Sequence, residues 1–215
     1  MRRPLIIFLI IAMMIGIVAA DWYPVKIRTD AGTIKNNLGE ISIQYIGNAA
    51  GTSGPEAGDD DQLFANVPCN QTTNINKSSF TAQPDYTRNL VATFNATTNA
   101  SIKILGTDIG GNSISENITI SNRNTGVTTK AFKTVTRVYA DLNTGETNKT
   151  LKLGTGDLLG LNTMLSMNTV LWAFLGTTKE GTAPTVTTNS TVLALNTADL
   201  SSSYDGSPVR IYYIV

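Results

Sequence analysis

Asn89-Leu90-Val91-Ala92-Thr93-Phe94-Asn95-Ala96, then Ala100-Ser101-Ile102-Lys103-Ile104-Leu105, then Ile114-Ser115-Glu116-Asn117-Ile118-Thr119-Ile120 are the runs that decide the fold class. Leu90, Ala92 and Phe94 fall on one side of an extended chain, and Val91, Thr93 and Asn95 on the other. Ile102 with Ile104, and Ile118 with Ile120, repeat the period of two. That alternation is the mark of strands with one dry and one wet face. Gly106-Thr107-Asp108-Ile109-Gly110-Gly111-Asn112 separates the second run from the third, and it predicts a wide turn closing a hairpin.

Working outward, Phe132 is expected to anchor the core, with Val135 and Val138 behind it. Leu151 and Leu153 predict a short strand, and Asp157 to Met167 a helical turn or an irregular loop. Val170-Leu171-Trp172-Ala173-Phe174-Leu175 is the most apolar run after the N-terminus and predicts a central strand. Thr185 to Leu195 alternates again, and Val209 to Val215 predicts a last strand tied into a sheet. Upstream, Val25 with Ile27 and Ile41 with Ile43 mark two more strands around the turn Asp30-Ala31-Gly32. Residues 47–83 are broken by Gly51, Gly54, Pro55, Gly58 and Pro68 and predict a long loop, with room for a short strand near Leu63 to Val67. The expectation is an all-β protein of about nine to eleven strands. They would form one antiparallel β-sandwich domain over 21–215, with the jelly roll as one form of it.

Met1 to Ala20 stands apart. Arg2 and Arg3 precede an apolar run from Leu5 to Val18, and Val18 and Ala20 are small residues at its exit. This is the pattern of a hydrophobic helix serving as a signal peptide, with cleavage before Asp21. The rival is a retained anchor, but a hydrocarbon core of about 30 Å asks for about 20 apolar residues, and this run is shorter. A secreted or cell-surface location follows, with the membrane touched only through an uncleaved segment. Asp21 to Thr29 would then be an arm able to add a strand to a neighbour's sheet edge.

Composition narrows the chemistry. Charged residues are 15% of the chain, 16 basic against 16 acidic, with no net charge. Asn, Thr, Ser and Gly keep the surface wet instead, and Thr and Val favour strands over helices. No basic run lies outside the N-terminus, so a nucleic-acid partner is not expected. With no histidine, the commonest general base and metal ligand is missing. Cys69 is the single cysteine, read as a small apolar residue and unable to form a disulfide within the chain.

The remaining candidates are weak by type. Asp59-Asp60-Asp61 could offer oxygens to Ca²⁺, but consecutive carboxylates converge only on a special backbone, and a solvated acidic turn is the simpler reading. Asp108, Asp141, Asp157, Asp199 and Asp205 are read as turn residues, not as catalytic acids. Trp22, Tyr86 and Tyr204 are the aromatics that a sugar-binding face would use, and packing is the plainer role for each. Asn-X-Ser/Thr acceptors for N-glycosylation stand at Asn70, Asn76, Asn95, Asn99, Asn117, Asn148 and Asn189, in a chain rich enough in Asn and Thr to make some by composition alone. No cofactor is expected.

Several phrases, taken in order, resemble virion-associated β-proteins of tailed phages, of the head-decoration and tail type. They are Thr81-Ala82-Gln83-Pro84-Asp85 with Arg88-Asn89-Leu90, Ile104 to Asn112, and Ile114 to Thr119. Lys130-Ala131-Phe132-Lys133-Thr134-Val135-Thr136 and Gly154-Thr155-Gly156-Asp157-Leu158-Leu159-Gly160-Leu161 follow. Thr182 to Thr187, and Asp205 to Val209 with Tyr212-Tyr213-Ile214-Val215, complete the set over about residues 81–215. The resemblance implies a non-enzymatic building or decorating subunit and carries over no catalytic residue. A phage virion protein assembles in the cytoplasm without a leader, so Met1 to Ala20 departs from the pattern. The functional expectation is a secreted structural subunit that binds copies of itself or a surface lattice, in a filament, sheath or coat. The alternatives are a virion structural or decoration protein, and a carbohydrate-binding or adhesive module.

Overall fold

A 20-residue strand, β4 (Arg88–Thr107), is the spine of the fold. In the computed structural model, which describes residues 41–72 and 74–214, its two apolar runs are one strand and not two. The expected signal segment 1–20, the expected arm at 21–29 and Trp22 lie outside the described residues. Residues 42–214 belong to one compact unit.

The strands that follow β4 are β5 (Ser113–Val127), β6 (Thr134–Leu142), β7 (Lys149–Gly160), β8 (Val170–Leu175), β9 (Thr178–Lys179), β10 (Thr185–Thr187), β11 (Thr197–Asp199) and β12 (Val209–Ile214). β1 (Ile41–Ile46), β2 (Phe64–Cys69) and β3 (Ile75–Lys77) precede it. One 3₁₀ turn, Leu193–Leu195, is the sole helical element among the described residues. The protein is all-β with antiparallel pairing, as its composition predicts.

Two sheets form. The larger runs β10-β11-β7-β4-β6-β3, with β2 paired to β7 and β5 to β4; the smaller runs β1-β12-β8-β9. The expected hairpin is present: Ile102 pairs with Ile118 and Ile104 with Glu116 across β4 and β5. On its other side β4 changes partner midway, pairing with β7 from Arg88 to Phe94 and with β6 from Ala100 to Thr107. The register with β5 slips between Thr93 and Ala100, where the long strand bends.

That bend brings the two halves of one strand onto one core. Leu90, Ala92 and Phe94 meet Ile102 and Ile104, with Ile118, Ile120, Phe132, Val138, Leu151 and Leu153 around them. The buried apolar side chains of β4 are all even-numbered, so the alternation survives the bend and the apolar side stays inside. Gly126 makes the approach possible: a Cβ there would lie 2.5 Å from Ile118 Cγ2. Phe132 is fully buried, as its anchoring role requires.

A second core lies between the small sheet and the far ends of β7 and β11. Leu159, Leu161, Ala198 and Leu200 pack there against Ile46, Ala173, Val209, Ile211 and Tyr213. Gln44 ties the layers together, its Nε2 donating to Gly160 O at 2.9 Å and its Oε1 accepting from Asn162 N at 3.0 Å.

Four segments differ from the sequence reading. Residues 47–83 contain β2, near the place allowed for a short strand at Leu63 to Val67, and also β3, which was not expected. Pro68, Asn66 at φ 47° and the register slip between Phe64 and Val67 hide the period of β2. β7 passes straight through Gly154 and Gly156 to Gly160, so of the segment 157–167 only 161–167 is the irregular loop expected there, with no helical turn. Those glycines are there for closeness: a Cβ on Gly154 would stand 1.7 Å from Asp59 O. β5 continues through the polar stretch to Val127. Only Thr185–Thr187 of the alternating segment 185–195 is a strand, because Asn189 and Asn196 turn the chain after it.

Candidate functional site

Arg88 begins β4 at the seam between the two cores and is 1% exposed. A buried guanidinium needs acceptors for its donors, and here each arm finds one. Nε donates to Gly156 O at 2.7 Å, Nη1 to both oxygens of Asp85 at 3.1 and 3.2 Å, and Nη2 to Glu56 O at 3.0 Å. Asp157 lies 3.5 Å from Nη2, and the ring of Tyr204 lies under the guanidinium with its centroid 5.7 Å away. Arg88 thus ties the 56 loop, the approach to β4 and the middle of β7 to the second core. Sequence reasoning passed over it; the signal was Asp85 placed three residues ahead, in reach of its head.

Around this hub an acidic surface forms. Gly58 N donates to Asp157 Oδ1 at 2.8 Å, Thr155 N donates to Asp59 O at 2.7 Å, and Glu56 forms a β-bridge with Asp205. Asp59, Asp60 and Asp61 do converge, their carboxylate oxygens lying within 4.8 Å of one another. The closeness of the 58–60 backbone to β7 supplies the special path that three consecutive Asp require. All three are exposed, and Lys152 Nζ stands 3.6 Å from Asp60 and 3.7 Å from Asp61. That geometry is an acidic turn balanced by a lysine.

The five turn aspartates divide. Asp108 is buried and holds the β4–β5 turn, accepting from Asn112 N at 2.9 Å. Asp205 accepts from Ser207 N at 2.9 Å, which holds its carboxyl below the ordinary value. Asp141, Asp157 and Asp199 instead lie on β6, β7 and β11. Burial, and then the charge of Asp157, push the Asp199 carboxyl up. Tyr204 is buried against Arg88, and burial raises its phenol well above the usual range. Tyr86 is half-buried. Neither ring is an open sugar platform. Cys69 is buried at the end of β2, and desolvation, partly offset by Lys149, pushes its thiol up to about 11.

Four of the seven sequons gather at one end of the molecule, around the turn 143–148. Gln71 N, next to Asn70, donates to Glu146 O; Asn95 Nδ2 donates to Asn148 O; and Asn99 N donates to Glu146 Oε1 at 2.8 Å. That last bond is the first cause holding the Glu146 carboxyl below its ordinary value. Asn76 and Asn117 are exposed on β3 and β5. Asn189 is half-buried, and its Oδ1 accepts from Thr191 N and Val192 N.

The outer side of the small sheet was not foreseen as a site. Ile211 and Tyr213 point into the core, so Arg210 and Tyr212 face out. Trp172 and Phe174 do the same on β8, where Ala173 points in. Tyr212 lies between them, each ring centroid 5.6 Å from its own. Arg210 covers Phe174 at 5.2 Å, and Lys179 covers Trp172 at 5.4 Å. On β1, Ile43 is 56% and Tyr45 46% exposed, while Gln44 and Ile46 point in. A shallow hollow of about 540 Å³ opens beside this face between Tyr45, Asn48, Gly176 and Arg210. The run 170–175 is therefore central within its sheet but not enclosed on both sides. What sequence could have told is that Trp172, Phe174 and Tyr212 share one parity with their partners, once the pairing of β8 with β12 is known.

No protein-family model matches the chain, and no curated protein or solved structure matches it significantly.

Proposed function

We propose that the chain is a non-enzymatic structural subunit that assembles with copies of itself, or onto a surface lattice, in an extracellular filament, sheath or coat. The observation that carries this reading is the outer side of the small sheet, where Ile43 and Tyr45 are exposed on β1 and the half-buried rings of Trp172, Phe174 and Tyr212 cluster on the neighbouring β12 and β8. Soluble monomers seldom keep such surfaces contiguous, and a partner removes them from water. The wet faces elsewhere, built from Ser101, Asn117, Thr119 and their like, give a subunit that touches its neighbours in few places. Export follows from the pattern of Met1 to Ala20, and the jelly-roll form of the sandwich belongs to the same reading. The phage-like phrases support a virion coat as the particular lattice; several fall on β4, β5 and β7, the strands that build the large core.

Sedimentation and negative-stain microscopy of the exported chain test this. Regular polymers or closed oligomers are expected. A chain that stays monomeric at millimolar concentration removes the reading, and a monomer that binds an insoluble polysaccharide replaces it with an adhesive module.

A further inference from the structure

The small sheet's outer side has a charge as well as a hydropathy. Its four strands contain no Asp or Glu, and their only ionic groups are Arg210 and Lys179. Both cations lie over aromatic rings on that side, so the face is apolar with a positive rim. The opposite sign is concentrated elsewhere. Glu56, Asp59, Asp60, Asp61, Asp157 and Asp205 lie on the exposed loops and strand around Arg88, which is buried, and Lys152, which is occupied by Asp60 and Asp61. In a chain with no net charge, this separation puts attractive surfaces on every copy.

Resting on the self-assembly reading above, we propose that the occupant of the aromatic face is a second copy of this chain. Its acidic 56–61 loop, with Asp157 and Asp205, meets Arg210 and Lys179 at the rim, while Ile43, Tyr45 and Trp172 supply the dry centre. An apolar centre inside a rim of complementary charge is the anatomy of a specific interface. The rim is solvated, so its attraction is screened by salt, whereas the aromatic centre is not. A like-charge approach of two cationic rims is disfavoured, which selects the acidic end as the surface presented.

The test uses the chain as the cell delivers it, its N-terminus read by mass spectrometry, followed by sedimentation over a concentration series. Ile43→Ser is expected to weaken association roughly tenfold or more, as truncation in the centre of an interface does. Lys179→Glu weakens it several-fold, with the larger loss at low salt, and so does the double variant Asp60→Lys with Asp61→Lys. Thermal melts check that each variant remains folded. An equal mixture of the Lys179→Glu chain and the Asp60→Lys, Asp61→Lys chain associates more tightly than either does alone, because their reversed charges match again. Wild-type assembly that ignores Ile43→Ser, or a mixture with no recovery, overturns this interface and leaves the structural-subunit reading standing. A wild-type chain that never associates overturns both.

Discussion

The large sheet and the small sheet solve the same burial problem in opposite ways. The large one bends β4 so that Leu90, Ala92 and Phe94 close over Ile102 and Ile104, and most of its bulky side chains point inward, Val127 being the exposed exception. Its outward positions are Ser101, Lys103, Asn117 and Thr119, which water satisfies. The small sheet turns Ile211, Tyr213 and Ala173 inward and is left with Trp172, Phe174 and Tyr212 on its other side. The large sheet leaves few bulky apolar side chains in water, whereas the small one keeps Ile43 and Tyr45 exposed beside half-buried rings. The difference teaches that the closed core and the proposed assembly surface lie in separate regions, so they can be altered separately.

The largest effect is expected at the seam that joins the regions. Arg88→Met removes every donor from a buried site and leaves Gly156 O and Glu56 O without their guanidinium. A loss of about 4 kcal/mol is expected, read as a drop in urea midpoint. If the loss is under about 1 kcal/mol, the two cores are held together by packing alone.

Next comes the closed core itself. Ile102→Ala opens a cavity where β4 meets β5 and β6, and a loss of about 3 kcal/mol is expected in the same assay. The variant's assembly, compared at a temperature where it is folded, should match the wild type. A change in assembly would show that the regions are coupled.

The exposed side of the small sheet behaves the other way. Ile43→Ser should change unfolding free energy by no more than about 0.5 kcal/mol, since the side chain is already half in water. A loss comparable to that of Ile102→Ala would mean that this face is already covered within one chain.

The smallest effect is electrostatic. Burial raises the Glu180 carboxyl, but hydrogen bonds from Ser201 and Ser202 outweigh it and hold the group below its ordinary 4.5. A lowered carboxyl contributes fully above the ordinary value, and that contribution is lost as pH falls through the lowered one. Glu180→Gln should therefore flatten the stability profile below about pH 4.5. Asp199 runs in the opposite sense: its raised carboxyl favours the folded state at low pH, and that contribution fades as pH rises through the raised value. Asp199→Asn should steepen the acid loss, and a profile unchanged by either variant would show that neither carboxyl is linked to folding.

Much of the large sheet was legible. Period-two runs at 89–96, 100–105 and 114–120 located the hairpin and its core side, and Phe132 stood out as an anchor. What misled was local punctuation. Glycine ordinarily marks a turn, but Gly154 and Gly156 lie within β7 because the 59 loop and Asn89 press against it. Proline and left-handed Asn66 blurred the extent of β2, which runs past Val67 to Cys69, for a related reason: a strand held by its partners tolerates residues that would break it alone. The site was less legible. Tyr204 is buried, as its plainer packing role implies, but the outward side of Trp172 and Tyr212 was not read from their strands.

The sequence alone determined that the chain would be sheets with little ionic chemistry, because alternation, Thr and Val content and the absence of histidine are local properties of the string. The tertiary structure alone decided which side of each strand meets water, where the acids gather and how Arg88 is satisfied. Those depend on pairing and layer packing between segments far apart in the chain, 116 residues in the case of Gln44 and Gly160. No window along the chain contains that information.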